Sequence, residues 1–291
     1  MTQPATSNRL ASKSKSLVLF SSLALCSFIP LSAEKNGVFI EGGFQYSNLS
    51  GSRTYSAPAM NGFEAEGSVS KISGNLYGAD LQFGYKQFLG KKKHFGLRYY
   101  GFFSGQGGPS SILLKTTDEH DQPITQTITQ PTASLFYGVG IDALFNFYEK
   151  GNRTYGVFAG VMVGGSSWLL GKGKNDATGK CAWRTFDYAT GKLSPCLTAN
   201  QYFDELTKSD NKSPGNKSTF SPTFVDFVFN FGFRTNFTKH QGFEFGVRVP
   251  TINTPYYTNV YKAQNNGDQD SKTTVVFRRN VAIYANYVIN F

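Results

Sequence analysis

Acid–base chemistry has few candidate side chains in this 291-residue chain, which contains three histidines. His120 stands between Glu119 and Asp121, but no hydroxyl nucleophile lies at a spacing that would fix it as a partner. His94 and His240 fall in or beside short predicted turns. A lone histidine among acids is typical of a solvated side chain. We therefore predict that the chain is not an enzyme and assign no catalytic residue.

Metal and phosphate chemistry are also poorly supported. The acidic pair Asp268 and Asp270 stands near Asn265 and Asn266, which resembles a group of calcium ligands. A calcium loop also needs an ordered ligand series that ends in a bidentate glutamate, and this pair lacks one. The glycines of the chain are not followed by the strand-to-helix transition of a phosphate loop. The sequence predicts no metal and no cofactor.

Thiol chemistry depends on Cys181 and Cys196, which lie 15 residues apart in a polar segment. An exported chain with an even number of thiols usually pairs them. Neither cysteine has a second Cys or a His at zinc-ligand spacing. We predict a disulfide, which would constrain the unfolded chain by about 3 kcal/mol. Two inert thiols are the alternative.

The first 33 residues have the three parts of a secretory signal peptide. A basic segment without acids precedes the apolar stretch 17–31, and small residues end it at Ala33. An uncleaved membrane anchor is the alternative, but Pro30 interrupts the stretch and it is short for a membrane span. We predict that 1–33 is removed and that the mature chain is 34–291.

The composition favours strands in the mature chain. Aromatic residues make up 15% of the sequence, and there are 31 glycines, a residue that weakens helices. A mean hydropathy of -0.30 argues against a bundle of membrane-spanning helices. The formal charge is +10, but the basic residues are scattered apart from 91–93, which argues against nucleic acid as a partner.

Eight segments alternate at period two between an apolar or aromatic face and a face of glycine, polar and charged residues. They are 38–46, 77–86, 95–103, 135–147, 155–164, 225–234, 243–249 and 280–291. A soluble sandwich would present a charged surface rich in Lys, Glu and Thr on its second face. We therefore predict an all-β fold, an eight-stranded antiparallel transmembrane β-barrel with its apolar face toward lipid. A soluble sandwich is the alternative.

The other face would then point into the lumen, and it carries nine charged side chains. They are Glu41, Asp80, Lys86, Arg98, Asp142, Asp226, Arg234, Glu244 and Arg248. The interior of an eight-stranded barrel is just wide enough for side chains. We expect these charges to neutralise one another as a salt-bridged plug.

The connections between the predicted strands alternate in length. Short ones at 88–93, 148–153 and 235–241 separate long ones at 49–74, 104–133, 166–222 and 251–273. Outer-membrane barrels have short periplasmic turns and long extracellular loops. We therefore predict that both termini are periplasmic and that four long loops face outward.

The longest loop, 166–222, holds both mature cysteines and has eight Lys and Arg against five Asp and Glu. Cations steer anionic partners, and aromatic rings provide contact area. The predicted surface-binding residues are Trp168, Lys172, Lys174, Trp183, Arg184 and Tyr202. The expected partner is an acidic host glycan or protein. A loop that only shields the barrel is the alternative.

Two segments resemble the Helicobacter outer-membrane protein family. Residues 83–103 read FGYKQFLGKKKHFGLRYYGFF and are similar to that family's strand, basic turn and strand; residues 280–291 read NVAIYANYVINF and are similar to its closing strand. The resemblance implies residence in the outer membrane, where members serve as porins or host adhesins. The large N-terminal receptor-binding part of the adhesins is missing here.

The C-terminal residues Tyr287, Ile289 and Phe291 also resemble the signal by which the barrel-assembly machinery recognises its substrates. Besides that machinery, the predicted partners are outer-membrane lipids, lipopolysaccharide and a host glycan or protein, with no nucleic acid. We predict a surface-exposed barrel that serves surface interaction or adhesion and envelope structure. A narrow porin-like channel for small solutes is the alternative.

Overall fold

The structure is a computed structural model, and its described residues are 36–89, 94–117, 123–187 and 191–291. The predicted signal peptide, 1–33, lies outside these residues. So do the basic turn residues 91–93 and His120.

Strands dominate the described chain. In order, the elements are β1 (Asn36–Ala57), β2 (Glu66–Leu89), β3 (Phe95–Thr117), β4 (Pro123–Lys150), β5 (Arg153–Leu170), β6 (Lys174–Asn175), β7 (Phe186–Asp187), β8 (Lys192–Leu193), α1 (Ala199–Asp210), β9 (Asn216–Phe220), β10 (Thr223–Asn236), β11 (Gln241–Pro250), β12 (Thr254–Tyr261) and β13 (Ser271–Asn290).

Eight of these strands close into a ring. Antiparallel pairing runs from β1 through β2, β3, β4, β5, β10 and β11 to β13, and β13 pairs back with β1. The turn between β4 and β5 is tight, with Lys150 opposite Arg153 and Gly151 at a φ of 62°, a left-handed value that glycine adopts without strain. Closure leaves the ring without free edges, and the predicted eight-stranded antiparallel barrel is confirmed.

The alternation of side chains gives the ring an apolar outside and a polar inside. Phe83, Val139 and Phe233 are 63%, 59% and 65% exposed on the outer face, whereas Glu41 and Arg98 are buried inside. The outer apolar stretch of most strands is about nine to eleven residues long, the length that a tilted strand needs to cross a bilayer. This band is the membrane-spanning part of the barrel.

The strands continue far beyond that band, and this differs from the predicted loops. β1 and β2 pair out to Ala57 opposite Glu66, so most of 49–74 is strand; β3 and β4 likewise pair through most of 104–133. Outside the membrane the outer face needs no aromatic residues. Serine and threonine therefore replace them there, and the period-two pattern of the sequence is weak. The extended hairpins hold their apolar side chains on the inner face instead.

The outer end of the ring is covered by α1, β9, β12 and the segments 171–187 and 191–198, which together we call the cap. β12 pairs with the outer half of β13, and β9 pairs with β12. α1 begins with a capping box, in which the Thr198 hydroxyl accepts from the Gln201 backbone N–H and the Gln201 side chain accepts from the Thr198 N–H. No described helix is long and apolar enough to cross a membrane.

A register shift separates the two halves of β13. Ser47 of β1 lies opposite Ala282, but Leu49 lies opposite Arg279, so β13 contains one extra residue between these pairs. An extra residue reverses which side chains point inward. Arg279 is consequently buried in the lumen, although the alternation that begins at Val281 predicts an outward position for it.

Aromatic rings lie over glycines inside the barrel wall. Gly246 pairs with Tyr284 of the neighbouring strand, and a Cβ atom at Gly246 would lie 2.5 Å from the Tyr284 ring. Gly140 is in the same relation to Tyr100. These glycines make space that the rings occupy.

We expect Gly246→Ala to lower the free energy of unfolding by about 1–3 kcal/mol, because the added methyl group must displace a packed ring. Gly105→Ala is the matched control, since its methyl group would meet Leu135 at an ordinary 3.6 Å. The measurement is urea unfolding of the folded barrel in detergent. Equal stability of the two variants would contradict the packing described here.

Candidate functional site: a charged lumen beneath an apolar cap

Arg98 is the centre of the charged lumen. Its Nη1 atom lies 3.2 Å from Glu41 and 2.7 Å from Glu244, and its Nη2 atom lies 2.6 Å from Asp142. The Nε atom also donates to Asp142 at 3.0 Å. These four side chains come from strands β1, β3, β4 and β11, so one guanidinium group joins much of the ring from within.

A second ion pair lies nearer the outer end. Arg248 donates to Asp80 at 2.5 Å and to Gln45 at 3.0 Å, and its guanidinium lies 3.9 Å from the centre of the Tyr284 ring. Gln45 in turn donates to the Ser104 hydroxyl. Direct hydrogen bonds therefore cross the lumen in this layer too.

The other predicted lumen charges are also inside the barrel. Arg234 lies 3.7 Å from Glu244, Asp226 lies 3.8 Å from Arg279, and Lys86 donates to Asn290 at 2.9 Å. Arg279 is the one buried charge among the described residues that the sequence did not predict. With it, five acids face five bases, and the formal charge of the lumen is balanced.

Buried aromatic rings fill much of the remaining lumen, and sequence reasoning missed them. Phe39, Tyr100 and Phe158 surround the Arg98 guanidinium, with ring centres 4.9–5.5 Å away. The balanced charges alone do not fill the lumen, and these rings occupy the volume that remains between them. The signal that could have found them is the aromatic doublet, as at 99–100 and 102–103, where one ring must point inward.

The cap contains an apolar core, and this corrects part of the predicted binding surface. Trp168 is 1% exposed and Trp183 is 8% exposed, so neither is a surface residue. Trp168 packs against Phe277, and Trp183 packs against Phe203 of α1. Segment 166–222 folds back over the mouth of the barrel because its apolar side chains can be buried there, against the inner faces of the extended hairpins.

The remaining predicted surface residues lie outside that core. Lys172, Lys174 and Arg184 are exposed, and Tyr202 is half-buried. Cys181 and Cys196 form a disulfide with Cα atoms 5.8 Å apart. Within the cap, the bridge joins the two chain segments that flank the paired strands β7 and β8.

Two tyrosines connect the cap core to polar groups. The Tyr256 hydroxyl donates to Asn200 at 3.0 Å, and the Tyr257 hydroxyl donates to Asp210 at 2.7 Å. Burial raises the pKa of both hydroxyl groups well above the usual tyrosine value. Both groups therefore remain protonated donors at any physiological pH.

The closing strand ends at the periplasmic side. Tyr287 and Ile289 are exposed on the lipid-facing surface, and the backbone N–H of Phe291 donates to the Val38 carbonyl at 2.9 Å. Phe291 is thus hydrogen-bonded to the first strand of the ring.

A family comparison identifies this barrel. The model of the family described as Helicobacter outer membrane protein matches residues 80–291. The chain belongs to this family. It lies in the bacterial outer membrane. Lipid and lipopolysaccharide surround its apolar band there. A search of curated protein sequences finds no match.

Three solved structures are similar in architecture. They are the outer membrane protein OprG from Pseudomonas aeruginosa (14% identity, TM-score 0.41, 90% of this chain and 99% of that chain), the outer membrane protease OmpT from Escherichia coli (10%, 0.36, 91% and 99%) and Ail, the attachment invasion locus protein of Yersinia pestis (10%, 0.22, 85% and 97%).

We expect Arg98→Ala to lower the free energy of unfolding by about 3–5 kcal/mol, because three buried carboxylates lose their shared cation. Lys208→Ala is the control. It breaks a solvent-exposed ion pair with Asp204, and the unfolding midpoint should hardly change. Urea unfolding of the refolded barrel measures both. If Arg98→Ala unfolds like the parent protein, the lumen network does not hold the barrel together.

Proposed function

We propose that this protein is a closed surface-display barrel whose cationic cap binds acidic host glycans or proteins, and that it acts by binding without catalysis. The observation that carries the proposal is the placement of charge on segment 166–222. Its eight basic side chains are all exposed: Lys172, Lys174, Lys180, Arg184, Lys192, Lys208, Lys212 and Lys217.

The acids of the same segment offset this charge incompletely. Asp210 is turned toward the cap, where it accepts from Ser218 at 2.6 Å and from Tyr257 at 2.7 Å. Asp204 pairs with Lys208 at 2.6 Å. The outer surface therefore carries an excess of free positive charge, which attracts polyanions over distances of about a Debye length.

The cap is also rigid enough to present that charge in a fixed arrangement. The disulfide joins Cys181 to Cys196, and the cap core buries Trp183 and Phe203. A surface that is ordered before binding loses less conformational entropy when a partner arrives. This supports a recognition role better than a role as a mobile shield.

The lumen supports a closed barrel over the alternative of a narrow channel. The Arg98 cluster spans the ring at one level, and the apolar cap core lies above it. A conducting path would have to open both layers, and the first is held by charge-assisted hydrogen bonds.

The closing strand supports a further partner. We propose that the exposed face of β13, with Tyr287 and Ile289, and the terminal Phe291 are contacted by the barrel-assembly machinery during insertion. Tyr287 and Ile289 are exposed on the lipid-facing surface, and Phe291 is half-buried beside them.

Binding to immobilised heparin tests the cationic cap. We expect the combined substitution of Lys172, Lys174 and Lys180 by glutamine to weaken binding about tenfold or more and to flatten its salt dependence, because fewer cations meet the polyanion. The matched control replaces Lys150, Arg153 and Lys239, exposed bases at the periplasmic end, by glutamine. Equal weakening by both variants would mean that the cap is not the binding surface.

Planar-bilayer recordings test the closed lumen. We expect the folded protein to produce no regular single-channel steps in concentrated salt, because the ion-paired side chains of the Arg98 layer lie across the lumen. The positive control is Arg98→Ala combined with Glu41→Ala and Glu244→Ala, which removes the centre of the cluster. Regular steps from the unaltered protein would contradict the proposal and support the porin-like alternative.

A further inference from the structure

A cavity of about 170 Å³ lies inside the cap, between α1 and the extended barrel wall. Its lining includes Arg53, Gln130, Trp183, Phe203, Tyr257 and Phe277. These residues come from the barrel wall and from three parts of the cap. The cavity therefore exists only when the cap is folded against the wall. It is separate from the charged lumen below and from the basic outer surface.

The size and walls of the cavity suit a single aromatic ring. An apolar cavity of about 150 Å³ is large enough to bind benzene in a protein interior. The rings of Trp183, Phe203 and Tyr257 can contact a flat ligand by its face or by its edge. Long acyl chains and disaccharides exceed the available volume.

Gln130, which lines this cavity and also a more open pocket beside it, provides a buried polar group. Its side chain is 1% exposed, and its Oε1 atom accepts from the Trp183 indole at 2.8 Å. The Nε2 atom is buried and has no hydrogen-bond partner among the described residues. A buried amide donor without an acceptor is unfavourable, so a ligand oxygen at this position would satisfy it.

Arg53 and Asp210 are the two charged residues of the cavity lining, and they differ in how far their charge is already satisfied. Arg53 lines the cavity and is also exposed, so the cavity reaches the outer surface at this residue. Within the described part of the chain, its guanidinium has no ion-pair or hydrogen-bond partner. The nearby carboxylate of Asp210 is already occupied by Ser218 Oγ at 2.6 Å, Tyr257 OH at 2.7 Å and Asn259 Nδ2 at 3.1 Å.

We propose that this cavity binds a small aromatic carboxylate, with the ring between the cap aromatics and the carboxylate between Gln130 and Arg53. The ring gains apolar contacts that water cannot make. One carboxylate oxygen accepts from the buried amide, and the charge is met by the guanidinium at the mouth. The inference is independent of the cationic outer surface, whose basic residues do not line the cavity.

The direct test is ¹⁹F NMR titration of the folded full-length barrel in detergent with 4-fluorobenzoate, a probe soluble enough to limit partition into micelles. We expect saturable binding that unlabelled benzoate displaces. Benzyl alcohol should compete at least about tenfold more weakly, and benzylamine more weakly still, because Arg53 favours an anion. Absence of saturable binding, or better competition by benzylamine, would overturn the proposal.

Matched variants locate the site. Gln130→Leu and Arg53→Gln should each weaken binding about tenfold. Gln106→Leu is the control for the first, because Gln106 has the same buried and unpartnered Nε2 atom but lies outside the cavity. Arg278→Gln is the control for the second, since Arg278 is exposed and does not line the cavity.

A variant that fills the cavity tests the same site without removing a hydrogen-bonding or charged group. Leu206 lines the cavity from α1 and is half-buried, so Leu206→Phe should occupy the space and abolish binding. The folded state of this variant is checked by gel electrophoresis, where we expect the unboiled barrel to migrate faster than the boiled chain. Binding that survives Leu206→Phe, or that falls equally with Gln106→Leu and Gln130→Leu, would place the probe elsewhere and refute the assignment.

Discussion

Charge compensation around Arg98 is the interaction on which the rest of the structure depends. Three carboxylates stand within 3.2 Å of one guanidinium in a space walled by protein and surrounded by lipid. Any one of these groups would be strongly unfavourable alone. Their mutual placement requires β1, β3, β4 and β11 to hold a single register, because a slip of one residue would send the charged side chains into lipid. The network thus specifies the ring as well as stabilising it.

The charged lumen is not the only buried region of the described structure. The barrel wall continues beyond the membrane band and provides the cap with a second core, in which Trp168, Trp183 and Phe203 are buried. The two cores differ in physical character. The lower one is ionic and aromatic and is fixed by directional bonds, whereas the upper one is mainly apolar and encloses a cavity. The lower core joins strands of the ring within the membrane, and the upper one joins the cap to the extended strands.

The sequence predicted the ring well and the cap poorly. Strands in lipid must alternate and must avoid unpaired charge, so the outer aromatics and residues such as Arg98 could be assigned from period two alone. Inner rings such as Tyr100 were missed, because glycine and charge already explained that face. Arg279 was missed because a bulge reverses the alternation. Trp168 and Trp183 were assigned to a surface because burial in a cap depends on contacts between distant segments, which no local pattern records.

The pairing of β1 with β13 has a consequence for the order of assembly. The first and last strands of the barrel are neighbours, so the hydrogen-bonded ring cannot be completed before residue 290 has been made and exported. The same terminal strand carries β12, and through it β9, at the outer end. Loss of β13 would therefore remove both the pairing partner of β1 that closes the ring and the pairing partner of β12 in the cap. A truncation within the C-terminal strand would consequently disrupt the part of the protein in the membrane and the part outside it together.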